Sequence, residues 1–258
     1  MISYLFLVIT GSLIAKITYV IAGLLPQIEE DEIRNDLITY YPEYSLEPSN
    51  REGRFDFTSL CKSVGYWVPF SCIAGGLKGN NQTYKEVFVL EITVAASTVT
   101  LYQIATSFEQ FLLMLIFFCL TAMAFLVDLA SQFLPEKLTN FILWSGLVLA
   151  CTEYGYLSSE ESLSGALLGY GLLYLFNTMH KVLYKNIGMA NGDLRLGAGI
   201  GAWAGVEITM LTILFMFLFI VITYIKGTRG QYPLGPYIVI SSYIAFIVNN
   251  PSFLTINF

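Results

Sequence analysis

Gly188-Met189-Ala190-Asn191-Gly192-Asp193-Leu194-Arg195-Leu196-Gly197 closes one apolar run of the chain and opens another. The run it opens continues to residue 225. From Gly197 onward that is about 29 residues, long for one crossing of a bilayer core that needs about 20 helical residues. Gly201, Gly205 and Glu207 near its middle point to a turn or break. Two spans, 197–208 and 207–225, therefore fit this stretch, and one long span is the competing reading. Working outward, further apolar spans fall at 2–25, 87–106, 109–127, 140–156, 162–184 and 235–250. The expected fold is all-α, a polytopic integral membrane protein of about eight transmembrane helices, with seven as the alternative.

Composition agrees with this. Of 258 residues, 55% are hydrophobic and 12% charged, and mean hydropathy is +0.64, whereas soluble domains carry about 25% charged residues. A soluble helical domain would need polar connections, and most gaps after residue 87 are too short and too apolar. No basic stripe points to nucleic acid. The four cysteines, Cys61, Cys72, Cys119 and Cys151, have no regular spacing and define neither a disulfide framework nor a zinc site.

Residues 26–86 are the one sizeable polar segment. They carry the acidic run Glu29-Glu30-Asp31-Glu32 and the turn-prone Tyr41-Pro42 and Glu47-Pro48-Ser49-Asn50. This region is read as a loop, with Tyr66–Leu77 as an amphipathic or re-entrant piece. Residues 2–25 are read as a retained anchor, with no basic stretch before them and no small-residue cleavage site after them. If 26–86 is cytoplasmic, eight spans put Lys137, Lys181, Lys185, Arg195, Lys226 and Arg229 on the same side. The opposite loops, near 107 and 152–161, hold no basic residue, as the distribution of Lys and Arg in membrane proteins requires.

Asp193 sits at a span's mouth, and so does Asp128 in Phe125-Leu126-Val127-Asp128-Leu129-Ala130-Ser131-Gln132-Phe133-Leu134-Pro135-Glu136. An acid forced into hydrocarbon costs roughly 2.5–3.5 kcal/mol, so such acids face a water-filled cavity or a partner. Brought together, two carboxyls do not both ionise easily, and the result is an acid beside a base. That pair suffices for peptide hydrolysis, the base activating water and the acid polarising the carbonyl, with no metal or cofactor required. Gly188 and Gly192 would let the backbone approach a substrate closely, and Gly192 allows a positive φ. Leu134-Pro135 ends the helical course after Asp128. The structural alternatives are a helix cap for Asp193 and a salt bridge to Lys137 or Arg195 for Asp128. A proton-coupled transporter using Asp128, Glu91 and Asp193 as a relay is the alternative function, and an inactive scaffold is a second.

The order of these motifs resembles the type IV prepilin peptidases, polytopic aspartic proteases with a Gly-x-Gly-Asp signature. Gly11-Ser12-Leu13 with Leu25-Pro26 looks like the family's first span, Glu91 like the acid of its second, and Asp128 to Thr139 like its first catalytic segment. Gly188 to Gly205 looks like the second, including Gly201-Ala202-Trp203, and Pro233-Leu234-Gly235-Pro236-Tyr237 is similar to the approach to the last span. The resemblance implies removal of the basic leader of prepilins or pseudopilins, after a glycine, at the cytoplasmic face of a bacterial inner membrane. It implies Asp128 and Asp193 as the catalytic pair, supported by Gly188, Asn191, Gly192, Arg195, Leu134, Pro135 and Glu91. Residues 1–25 would then be the first helix, 26–86 a cytoplasmic loop region and 87–258 the membrane peptidase domain.

Three departures stand out. Ala190 replaces a usual glycine, and Arg195 replaces a usual lysine, keeping the charge with a different donor geometry. Two Cys-x-x-Cys pairs, tied in many members to methylation of the new amino terminus, are missing from the first loop, where Cys61 and Cys72 cannot form a tetrathiolate site. Methylation is therefore expected to be absent or independent of zinc there. Lys16 is expected to snorkel, with pairing to a membrane carboxylate as the alternative. His180 is expected at the membrane interface. The acidic run is either an attractor for a basic leader or a solvated loop.

Overall fold

The computed structural model describes residues 2–40, 82–185, 188–225 and 233–249. Among them the elements are helices: α1 (Ile2–Tyr40), α2 (Gln82–Ile104), α3 (Phe108–Ser131), α4 (Glu136–Ala150), α5 (Ser159–Tyr184), α6 (Asn191–Ile225) and α7 (Gly235–Asn249). Tyr4–Leu25, Phe108–Ser131 and Asn191–Thr223 are long and apolar enough to cross a membrane, and Val89–Ile104 and Gly235–Asn249 are shorter apolar helices. The chain is an all-α membrane protein. It forms two compact units, Met1–Gln103 and Ile104–Phe258.

In the first unit, α1 and α2 lie antiparallel. Tyr4 meets Tyr102 edge to face at 6.4 Å, Gly11 lies so close to Ala95 that an added Cβ would come within 2.7 Å of its Cα, and Lys16 Nζ is 3.2 Å from Glu91 Oε1. Lys16 and Glu91 are both fully buried, and Ser12 Oγ donates to the same Glu91 oxygen at 2.7 Å. The snorkelling reading of Lys16 is thus corrected, because a carboxylate lies within reach and removes the need to extend to the interface. The first helix also differs from expectation in running through Pro26 to Tyr40. The segment Gln27–Tyr40 holds no Gly or Pro to stop the helix, and Gln27, Glu29, Glu30, Glu32, Arg34 and Leu37 are good helix formers that continue it beyond the apolar part. The acidic run falls on this extension. The loop pieces at 41–81, with Tyr66–Leu77, Cys61 and Cys72, lie outside the described residues.

In the second unit, α5 and α6 meet through two small-residue faces. An added Cβ on Gly201 would collide with Gly165 O, and one on Gly169 with Gly197 O, so the two backbones touch and bulkier residues would separate them. Gly205 is the one described glycine with positive φ (76°), and it interrupts α6. Before it, the pairings Gly197 with Gly169 and Gly201 with Gly165 make the first leg antiparallel to α5. After it, Phe217 packs against Phe176 at 4.2 Å, so the second leg runs parallel to α5. The chain therefore reverses at Gly205. Its 35 residues are two legs of a hairpin rather than one rod of about 52 Å. This is the break expected between 197–208 and 207–225, placed by the only residue type that adopts such φ freely.

Sequence and structure differ by a few residues at other ends. α2 begins at Gln82, before the expected 87, and α4 spans 136–150 instead of 140–156. Pro135 (φ −55°) stands immediately before α4, where a fixed φ and a missing N–H cost nothing. Ser158 and Glu161 form a reciprocal cap at the start of α5.

Candidate active site

Asp128 lies in the last turn of α3. That helix stops because Gln132 adopts a left-handed conformation (φ 56°) and returns its N–H to the Asp128 carbonyl at 2.8 Å. Leu134 and Pro135 follow, both buried, and turn the chain into α4. The Asp128 side chain is 4% exposed. Its Oδ2 accepts from the N–H of Gly235, the first residue of α7, at 2.8 Å. A Cβ on residue 235 would stand 2.7 Å from that oxygen, so the contact requires glycine or a displaced carboxylate.

Asp193 lies in the first turn of α6 and is 6% exposed. Its Oδ2 accepts from the Ala190 N–H at 3.0 Å, and its own N–H donates to the Ala190 carbonyl at 3.2 Å. Asp193 is therefore not the N-cap residue considered for it: from inside the first turn its carboxyl reaches back to the N–H of Ala190, the residue before the helix, which occupies one carboxyl oxygen. The carboxyl groups of Asp128 and Asp193 are near enough for the charge of the first to act on the second. Gly192 against Leu134 and Arg195 paired with Glu136 place the two acids, distant in sequence, at the same end of the helical unit.

The other site residues divide. Gly192 presses on Leu134, whose Cβ and carbonyl O would lie 2.8 and 3.1 Å from an added Cβ, which ties the Asp193 turn to the segment after Asp128. The expected positive φ at Gly192 is not found; the residue is helical, and its glycine serves close approach. Ala190 also lacks a positive φ, so the departure from glycine there carries no backbone strain. Gly188 lies against the His180 ring, 2.9 Å from Nδ1 to an added Cβ, and His180 is exposed. Asn191 opens α6 and is exposed. Arg195, a considered partner of Asp128, pairs with Glu136 at 2.7 Å, joining the first turns of α6 and α4. Glu91 belongs to the first unit, where Lys16 and Ser12 hold it.

Two contributors were not read from the sequence. One is the Gly235 N–H, although Gly235 was noted as part of a motif. The other is Asn177, on α5, which accepts from the N–H groups of Gly188 and Met189 at 3.1 and 3.0 Å and donates to the Met189 carbonyl at 3.2 Å. Its signal was a lone amide in the apolar run Leu172-Leu173-Tyr174-Leu175-Phe176-Asn177. At the opposite end of the unit, the Trp203 indole N–H donates to the Ile142 carbonyl at 2.9 Å, and Tyr156 donates to the Trp203 carbonyl. Trp203 also stacks on Phe117 at 5.4 Å. Among the described residues no group of three or more His, Cys, Asp or Glu side chains is placed to hold a metal ion.

Residues 114–225 match the type IV leader peptidase family. That range includes both aspartates. Proteins named prepilin leader peptidase/N-methyltransferase are similar to the chain. The one from Neisseria gonorrhoeae is 30% identical over 51% of this chain and 46% of its own length. The one from Pseudomonas aeruginosa is 26% identical over 93% of this chain and 88% of its own length, and the one from Escherichia coli is 36% identical over 35% and 40%. The chain spans about half the length of several of the curated relatives it matches. No solved structure matches it.

Proposed function

From a chain that carries the type IV leader peptidase match across the buried Asp128 and Asp193, we infer a membrane aspartic endopeptidase that removes the basic leader from prepilin or pseudopilin precursors. The observation that carries the reading is that Asp128 and Asp193, each buried and each held by one backbone N–H, lie at the same end of one helical unit. The ionised member takes a proton from water, which attacks the scissile carbonyl carbon. The protonated member donates a hydrogen bond to the carbonyl oxygen and stabilises the tetrahedral intermediate. A proton then passes to the departing nitrogen, the C–N bond breaks, and the pair is left with one proton, ready for the next turn.

Burial suits this chemistry. A pair shielded from bulk water feels its own charges more strongly than it would in solvent. The substrate's apolar helix would lie in the bilayer beside α3 and α6, with its charged leader at the aspartate end. Lys181, Lys185 and Arg195 belong to that same end of the second unit, and the distribution of basic residues supports assigning it to the cytoplasmic face of an inner membrane. Methylation of the new amino terminus is not assigned, because Cys61 and Cys72 cannot make the paired-cysteine site.

Co-expression with a type IV prepilin tests both parts. The expected product is a pilin shortened by its leader, beginning after the glycine, with an unmethylated amino terminus by intact mass. Unchanged precursor would count against peptidase activity, and a product heavier by one methyl group would overturn the statement about methylation.

A further inference from the structure

We propose that Asn177 is a positioning residue for Asp193. This rests on the reading of Asp193 as a catalytic acid. Asn177 is half-buried in the last third of α5, and its amide faces the connection to α6 instead of its own helix. Three hydrogen bonds fix it. Oδ1 accepts from Gly188 N–H and Met189 N–H, and Nδ2 donates to Met189 O. The reversed amide would set its NH₂ group against two N–H donors, so the partners determine which way it points.

The pairing of one side-chain amide with both the N–H and the C=O of Met189 imitates a neighbouring strand, and it holds the residue that precedes Ala190. Ala190 in turn gives its N–H to Asp193 Oδ2 and its carbonyl to Asp193 N–H. A continuous route therefore runs from the Asn177 amide through the backbone of 188–190 to a single carboxyl oxygen. The other oxygen, Oδ1, is left for substrate and water. Gly188 also lies against His180, one turn further along α5, so the same helix touches this connection at a second point.

The segment has no helix or sheet ladder of its own to define it. Without Asn177, residues 188–190 would keep their covalent attachment but lose three of the bonds that fix their path. Asp193 would then sample orientations off the line of attack. A displacement of about 1 Å at a reacting group is enough to cost on the order of 100-fold in rate. The expected defect is therefore in turnover, with substrate binding spared.

The test uses purified full-length protein in nanodiscs and a fluorogenic peptide spanning the leader junction and pilin helix. Wild type is compared with Asn177→Ala, Asn177→Asp and Asp193→Asn, and thermal unfolding is followed for each. Asn177→Ala is expected to lower kcat by roughly 10- to 100-fold with KM within about 3-fold. Asn177→Asp keeps both acceptor bonds but sets a second oxygen against the Met189 carbonyl, and is expected to recover kcat to within about 10-fold of wild type. Wild-type kcat in folded Asn177→Ala, a loss confined to KM, or no recovery in Asn177→Asp would overturn the positioning role while leaving Asp193 catalytic. Should Asn177→Ala not fold, Asn177→Asp at under about a tenth of wild-type kcat overturns it, and kcat near wild type supports it. Wild-type activity in Asp193→Asn would remove the catalytic reading itself, and the positioning role with it.

Discussion

Asp128 and Asp193 are each oriented by a single backbone N–H, from Gly235 and Ala190 respectively. That arrangement makes the site sensitive to small backbone-side changes. Gly235→Ala would place a methyl group 2.7 Å from Asp128 Oδ2, so the carboxyl must rotate or the start of α7 must move. Turnover is expected to fall roughly 10- to 100-fold with little loss of stability. Gly171→Ala is the control, since nothing lies within 4 Å of its added Cβ. Near-normal kcat in Gly235→Ala would show that the Gly235 contact does not orient the acid. At this scale the aspartates were legible because an acid in an apolar chain needs a reason to be there. Asn177 and Gly235 were not, because their importance lies in which backbone groups face them. The path of residues 188–190 and the start of α7 decide that, and neither has a periodic signature.

At the scale of elements, the glycines of α6 serve close contact with Gly165 and Gly169 of α5, a pairing that came only from the structure. Gly201 was read as a possible break, yet it is a contact with Gly165; the break is at Gly205. Gly201→Val would force α5 and α6 apart and is expected to destabilise the unit by about 1–3 kcal/mol, seen as a lower unfolding temperature in detergent. An unchanged unfolding temperature would mean that the two backbones do not touch there. In the first unit, Lys16 and Glu91 clasp α1 to α2. Removing one partner leaves an uncompensated buried charge, so Lys16→Met or Glu91→Gln alone is expected to cost about 3–5 kcal/mol, and the double variant substantially less than the sum. Simple additivity in that double-mutant cycle would argue against direct coupling. Lys16 was misread because sequence alone does not show that Glu91 stands at the same depth on the facing helix.

For the whole molecule, hydropathy gave the membrane class, and the distribution of Lys and Arg is the ground for the expected side of each connection. A straight α6 would set its two ends at opposite ends of the unit, whereas the reversal at Gly205 brings the second leg back along α5. The expected arrangement places the connection from 151 to 158 opposite the aspartates. Cys151 is exposed there, whereas Cys119 lies within the α3 span. In a Cys61→Ser/Cys72→Ser background, a membrane-impermeant maleimide is therefore expected to label Cys151 from the outer face of intact spheroplasts. Labelling only after the membrane is opened would invert the topology. The length of α1 beyond Pro26 escaped hydropathy because that part is polar and helical at once.

The most direct measurement is precursor cleavage by purified wild type, Asp128→Asn and Asp193→Asn in the same lipid, with folding checked by thermal unfolding. The account predicts release of the leader by wild type and a fall of at least about 1,000-fold in each variant, since a neutral amide can serve neither as base nor as acid. Cleavage at the wild-type rate by either folded variant would contradict the aspartate pair as the catalytic centre.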